Sequence, residues 1–308
     1  MNITSLINSL PGACAQGLIW GIMAIGVYIT YKILDLADLT VDGTMCTGGA
    51  VCVMLLMAGF PVPLALAGAF GAGMLAGLAT GIFHTVMGIP AILAGILSQL
   101  GLYSINLRIM GSKANQAISV DKYNLLVSLR YIKNVAFYKN TIFVVIVFIA
   151  VIVALLYWFF GTELGCAIRA TGSNPNMSRA QGINTNVSKI IGLMLSNGIV
   201  ALSSGLYAQY QGFADVNMGR GAIVIGLAAV IISEVIFGKF CAGRKAAFAF
   251  TLGAIFIGAI IYYIVIALVL WLKMPSDYMK LFSAVVVACF LAVPYMKGKY
   301  FTKKRRTA

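Results

Sequence analysis

Long runs without a single charge dictate what this chain can fold into. Residues 1–31, 43–83, 85–107, 140–162, 190–214 and 246–272 contain no Asp, Glu, Lys or Arg. A helix crossing the hydrocarbon of a bilayer needs about 20 apolar residues. Most of the runs fit one crossing. The run 43–83 fits two, divided at GFPVP (59–63), where two prolines stop helical hydrogen bonding. Two shorter runs, 221–233 and 281–296, need their flanks to complete a crossing. The expected fold is all-α: a polytopic transmembrane bundle of about nine spans, with eight to ten allowed.

Composition closes the alternatives. The 308 residues are 61% hydrophobic and 10% charged, with a mean hydropathy of +0.97. A soluble domain carries about 25% charged residues, so most of this surface must face lipid or other membrane helices. No composition shift marks a domain boundary, and residues 1–308 read as one transmembrane domain. The net charge of +14 fits lipid headgroups better than nucleic acid in so apolar a chain.

The tail 296–308 holds six Lys/Arg and is expected in the cytoplasm. Counting back places 239–245 and 162–189 inside, and 109–139 and the N-terminus outside. The bias is weak, because Arg108, Lys113, Lys122, Arg130, Lys133 and Lys139 all fall in or beside the outer segment. The N-terminus lacks a basic n-region and reads as retained rather than as a signal peptide.

Enzymatic motifs are missing from the sequence. There is no GxSxG, no HExxH and no phosphate loop, so any use of ATP belongs to another chain. The six cysteines show no CxxC spacing and read as small apolar residues. His84 stands alone and is expected in a loop between spans.

One polar stretch interrupts the apolar pattern: GTELGCAIRATGSNPNMSRAQGINTN, residues 161–186. It reads as a short helix (ELGCAIRA), a Gly-Ser-Asn-Pro turn and a second short helix (NMSRAQ). Ser173 or Asn174 can cap the second helix, and Gly172 and Gly182 suit helix C-termini. Two short helices and a tight turn make a compact knob. An ordinary solvated loop is the alternative.

A second polar feature is ILDLADLTVDG, with Asp35, Asp38 and Asp42 at the junction of two spans. Asp38 and Asp42, four apart, are expected on one helical face. Asp38 or Thr40 can cap the new helix, with Asp42 near its positive end. Two readings stand: simple capping at the membrane surface, or a broken helix that enters the membrane and lines a solute path with Gly43. Asn197, polar in mid-span, either bonds a neighbouring helix or touches solute. Tyr103, Ser104 and Asn106 (in LYSINL) can touch an aromatic solute, and a tyrosine near an interface is also an ordinary belt residue. Glu234 lies about one turn from the basic loop 239–245 and is expected to form a salt link there, or a gate.

In the outer segment, YNLLVSLRYIKNVAFYKN places Leu125, Leu129 and Ile132 on one helical face, with Lys122, Arg130 and Lys133 largely off it. A helix lying on the headgroups and a basic surface for an acidic partner are both compatible with this. The small-residue run 68–81, GAFGAGMLAGLATG, reads as a helix-packing surface.

Taken together, the polar stretch 161–186, LDLADLTVDGTMCTGGA (34–50), LAGILSQLGLYSINLRIMG (93–111) and GLAAVIISEVIFG (226–238) resemble the permease subunits of bacterial ABC importers. The likeness is to the branched-chain amino acid and ribose-type permeases, and within them to a tryptophan/tyrosine-type subgroup. It extends over nearly the whole chain. It implies a multi-pass protein of the bacterial plasma membrane that works as a homodimer. A cytoplasmic ATPase dimer binds ATP and Mg, and this chain holds no cofactor of its own. An extracytoplasmic solute-binding lipoprotein delivers a small polar solute, with an aromatic amino acid favoured, and docks near Lys113, Lys122, Arg130 and Lys133.

The resemblance makes loop 162–186 the element that couples to the ATPase, through Glu163, Gly165, Arg169, Gly172, Asn174, Arg179 and Gly182. The path is expected along Asp38, Thr40, Asp42, Gly43, Tyr103, Asn106 and Asn197. A self-sufficient secondary transporter or channel, coupled through Asp42 or Glu234, is the rival reading.

Overall fold

The charge-free runs fold as helices in the computed structural model, which describes residues 3–119, 122–123, 125–132, 140–241, 247–271, 278, 281–290 and 292. The helices are α1 (Ile3–Tyr28), α2 (Thr40–Met57), α3 (Val62–Thr85), α4 (Ala91–Ile109), α5 (Thr141–Gly161), α6 (Glu163–Ser173), α7 (Pro175–Ala180), α8 (Thr185–Gln211), α9 (Ala222–Cys241) and α10 (Ala247–Trp271). A further short apolar helix, α11, spans Leu281–Phe290. Seven of these are long and apolar enough to cross a membrane. Ala222–Gly238 and α11 are two shorter apolar helices, so the described residues form an all-α polytopic bundle of seven candidate spans and two shorter pieces.

Local sequence sets the helix ends. The GFPVP break behaves as its prolines require: α2 stops at Met57, and α3 starts right after Pro61, whose backbone is extended. α1 runs on as a π-helical turn from Ile29 to Ile33. His84, expected in a loop, lies in the last turn of α3 instead.

α8 is the axis of the bundle, 27 residues long and largely buried. α3 meets it through the four-residue spacing Gly73, Gly77, Gly81. A Cβ at Gly73 or Gly77 would run into the α8 backbone at Asn197 or Leu193. Gly48 of α2 fits against Ala201 in the same way. Where lipid replaces water, close backbone approach of this kind drives helix association. Serines add interhelical bonds: Ser196 donates to Gly26 O and Ser203 to Ile19 O, each at 2.7 Å.

The contacts define two ends. At one end, Tyr210 donates to Gly12 O, and a small antiparallel ribbon pairs β1 (Asn115–Ala117) with β2 (Phe213–Asp215), Gln116 opposite Ala214. At the other end, α6 packs on the end of α1, where Gly172 meets Ile33. These are the ribbon end and the hairpin end below. The ribbon is the one strand pairing among the described residues, an addition that the all-α expectation did not contain.

The outer segment differs from expectation as well. The described part of 123–132 forms only a 3-10 turn, Leu129–Ile132, and no amphipathic α-helix. Its polar groups are spent elsewhere. Leu126 N–H donates to the Gln209 side chain, and Ser128 exchanges bonds with Thr141. Leu125 and Val127 are buried beneath them, so this stretch is tied down rather than laid on a surface.

Candidate functional site

Two helices start inside the bundle rather than at its ends. After the π-turn the chain turns back through residues 34–39, with Asp35 in the left-handed region (φ 53°), and α2 begins at Thr40. Thr40 faces not the end of α8 but its middle, at the level of Asn197. Backbone groups stranded there have no water to turn to.

Side chains satisfy them. Asp38 Oδ1 accepts the Thr40 N–H at 2.9 Å, and Oδ2 accepts Asn197 Nδ2 at 2.7 Å. Asn197 Oδ1 accepts the Thr44 hydroxyl at 2.7 Å. Thr40, Thr80 and Ser98 continue the chain of bonds at 2.7 Å each. Asp38, Thr40 and Asn197 are all buried. Asp38 lies before the helix, so it does not share a helical face with Asp42. Its capping takes place buried among the helices, with Asp38 3% exposed.

α9 is the second interrupted helix. After β2 the chain does not exit. It dips back as a turn over 216–221, Gly219 against the Asp42 carbonyl and Gly221 at φ +86°, and α9 starts at Ala222. Asp42 Oδ2 accepts Gly221 N–H at 2.9 Å and Oδ1 accepts Ile223 N–H at 3.0 Å. A carboxylate at a helix N-terminus is favoured by the helix dipole. Here one side chain serves two helices, in the first turn of α2 and at the start of α9. One turn further along α2, Cys46 Sγ donates to Asp215 O at 3.5 Å, so β2 reaches the same turns of the helix.

Beside this junction a pocket of about 290 Å³ opens between α2, α4 and the turn. Asp42, Gly43, Gln99, Tyr103, Asn106 and Arg220 line it. Asn106 is 1% exposed; its Nδ2 donates to Gly43 O at 3.3 Å, and its Oδ1 has no partner. Tyr103 is half-exposed. The structure thus brings Asp42, Gly43, Tyr103 and Asn106 together, and sets Asp38, Thr40 and Asn197 behind them in the sealed network. Sequence reasoning missed Gln99 and Arg220. Arg220, a lone cation between two glycines and two charge-free runs, carried a signal.

At the hairpin end, α6 and α7 form the expected pair of short helices. Thr162 accepts from Gly165 N–H, and Asn174 caps α7 by accepting from Met177 N–H at 3.1 Å. Gly182, at φ +83°, terminates the pair. Helix α6 runs through Gly172 rather than ending there. Gly172 is needed because it meets the Ile33 and Leu34 backbone, as Gly165 meets that of Phe159 and Phe160.

Two of the expected contact residues point back into the chain. Arg169 donates to Phe160 O at 2.5 Å and lies over the Phe248 ring. Arg179 Nε donates to Thr185 Oγ1 at 2.9 Å. Glu163, Leu164 and Met177 are exposed.

Glu234 forms a salt link with Lys32 at 2.9 Å; the side chains of the basic loop 239–245 lie outside the described residues. α9 packs on α1 through Gly226 and Val27, which brings the two residues together. Both are about half exposed, so the pair is worth about 0.2–1 kcal/mol. Lys113, Lys122 and Arg130 are exposed near the ribbon end, and Lys133 lies outside the described residues.

Residues 10–291 match the family described as the branched-chain amino acid transport system / permease component. The chain is 41% identical to the tyrosine transport system permease protein of Clostridioides difficile (strain R20291), over 92% of this chain and 91% of that one. It is 34% identical to an uncharacterized protein of Rickettsia prowazekii (strain Madrid E), over 91% and 95%. With the galactofuranose transporter permease protein of Escherichia coli (strain K12) it shares 27% identity, over 83% and 71%. A multi-pass helical body, two interrupted helices and a match over nearly the full length agree: this chain belongs to the branched-chain amino acid transport system permease family, the membrane-spanning component of ABC-type transporters.

Proposed function

We propose that the chain is the permease of an ATP-driven importer of a small polar solute, an amino acid, with an aromatic one favoured. It acts as a homodimer in the bacterial plasma membrane, with an ATPase dimer on the hairpin end and a solute-binding lipoprotein on the ribbon end. The hairpin end and the C-terminal tail face the cytoplasm. The similarity to a tyrosine transport permease supports the solute class. The basic residues Lys113, Lys122 and Arg130 suit docking of an acidic partner on the outer face.

One observation carries the reading: the hairpin packs directly against the linker that leads into the interrupted helix. Gly172 abuts the Ile33 and Leu34 backbone, and those residues open the linker that ends in Asp38 and α2. Arg169 fastens the same helix to the ends of α5 and α10. ATP-driven closure of the ATPase pushes on α6 and α7, and the displacement passes through the linker to the centre of the bundle. Exposed Leu164 and Met177 and the carboxylate of Glu163 form the docking face, while Arg169 and Arg179 act as struts.

The test is solute-stimulated ATP hydrolysis in proteoliposomes that contain the permease, its ATPase and its binding protein. The double variant Leu164→Arg, Met177→Arg should lose at least ten-fold of the stimulation while inserting normally. Wild-type stimulation in that variant would remove the hairpin from the mechanism.

A further inference from the structure

We infer that the pocket between α2, α4 and the turn 216–221 is a subsite for an α-amino acid zwitterion, with Arg220 as the anchor for the solute carboxylate. The inference rests on the import reading above and assigns the chemistry of its path.

Four features of the pocket point to such a ligand. First, the Arg220 guanidinium has no hydrogen-bond or ion-pair partner among the described residues; the ion pair found there is Lys32–Glu234, at the hairpin end. Its side chain is exposed at the mouth of the pocket, so a solute anion can reach it without first breaking an internal pair. Second, Asp42 lines the same pocket, yet no ion pair joins it to Arg220. The backbone N–H groups of Gly221 and Ile223 hold the carboxylate in place, so it cannot swing to the guanidinium. The pocket therefore keeps one fixed negative and one free positive group apart.

Third, Asn106 Oδ1 is buried, unpartnered and lines the pocket, while Gly43 O fixes its amide nitrogen. A buried acceptor left without a partner is costly. An ammonium donor meets it, with Asp42 supplying the charge. Fourth, the pocket volume of about 290 Å³ sits at the small end of the usual 300–1,000 Å³ range for ligand sites. It suits one amino acid. Half-exposed Tyr103 offers a ring face for an aromatic side chain. Gln99 adds a donor beside Arg220. A sugar would leave both charges without counterparts.

The experiment uses the full chain in lipid nanodiscs with a reporter cysteine at Leu100, an exposed pocket residue. Its labelling rate by a thiol reagent is read by peptide mass spectrometry, which separates it from the native cysteines. L-Tyrosine at millimolar concentration should slow labelling at least three-fold. Tyramine, which lacks the carboxylate, 3-(4-hydroxyphenyl)propionate, which lacks the ammonium, and D-ribose should not. Arg220→Gln should abolish the protection, and Arg220→Lys should keep part of it.

Equal protection by tyramine or by D-ribose would overturn the inference, as would undiminished protection in Arg220→Gln or none in the parent protein. Uptake in the complete transporter separates the two claims. If amino-acid uptake is intact but protection is absent, the subsite falls and the import reading stands. If protection is present but no amino acid is taken up, the import reading falls.

Discussion

Two polar clusters lie back to back on the first turns of α2, and they follow opposite rules. Behind the helix, Asp38, Asn197, Thr44, Thr40, Thr80 and Ser98 form a closed network. In front of it, Asp42, Asn106, Tyr103, Gln99 and Arg220 share a pocket in which an amide oxygen and a guanidinium go unmet. The difference separates two uses of polarity in a membrane protein. A buried group with every bond made holds helices together; one left short of a partner is available to something that comes and goes. Asp42 belongs to both, because its backbone-bonded carboxylate holds α9 in place and still faces the opening.

Stability measurements can break this contrast. Asn197→Leu strips a partner from the Asp38 carboxylate and from Thr44, and should cost on the order of 3 kcal/mol, seen as a much lower unfolding midpoint in detergent. Asp42→Asn keeps an acceptor but loses the charge at the start of α9. About 1 kcal/mol is expected, with uptake slowed more than the amount of inserted protein falls; normal uptake would leave Asp42 as a cap alone. Tyr103→Ala in the open pocket should stay within about 0.5 kcal/mol of the parent in the same assay. If it destabilised the protein as much as Asn197→Leu, the front cluster would be structural too, and the distinction would fail.

Much of the fold was legible because the bilayer permits so few solutions. Charge-free runs must be helices, and the prolines of GFPVP can only divide them. The small-residue run 68–81 announced a packing face, and Gly73, Gly77 and Gly81 provide it. The interrupted helices were half legible. Asp38 and Asp42 marked the first, but nothing local in VNMGRGAIV showed that the chain dips back after β2, since that depends on Asp42 far away in sequence. The outer segment was misread for a related reason. Its helical periodicity is real, but Gln209 and Thr141 compete for its backbone and win. Salt-link partners were equally out of reach: only packing of α9 on α1 could reveal Lys32 as the neighbour of Glu234.

The glycine spacing on α3 constrains how such a body can work. Its backbone lies so close to α8 that any side chain larger than hydrogen at Gly73 or Gly77 would force the two helices apart. If the proposed import cycle holds, that pair is the natural fulcrum, and the parts free to pivot around it are the linker 34–39, the turn 216–221 and α4.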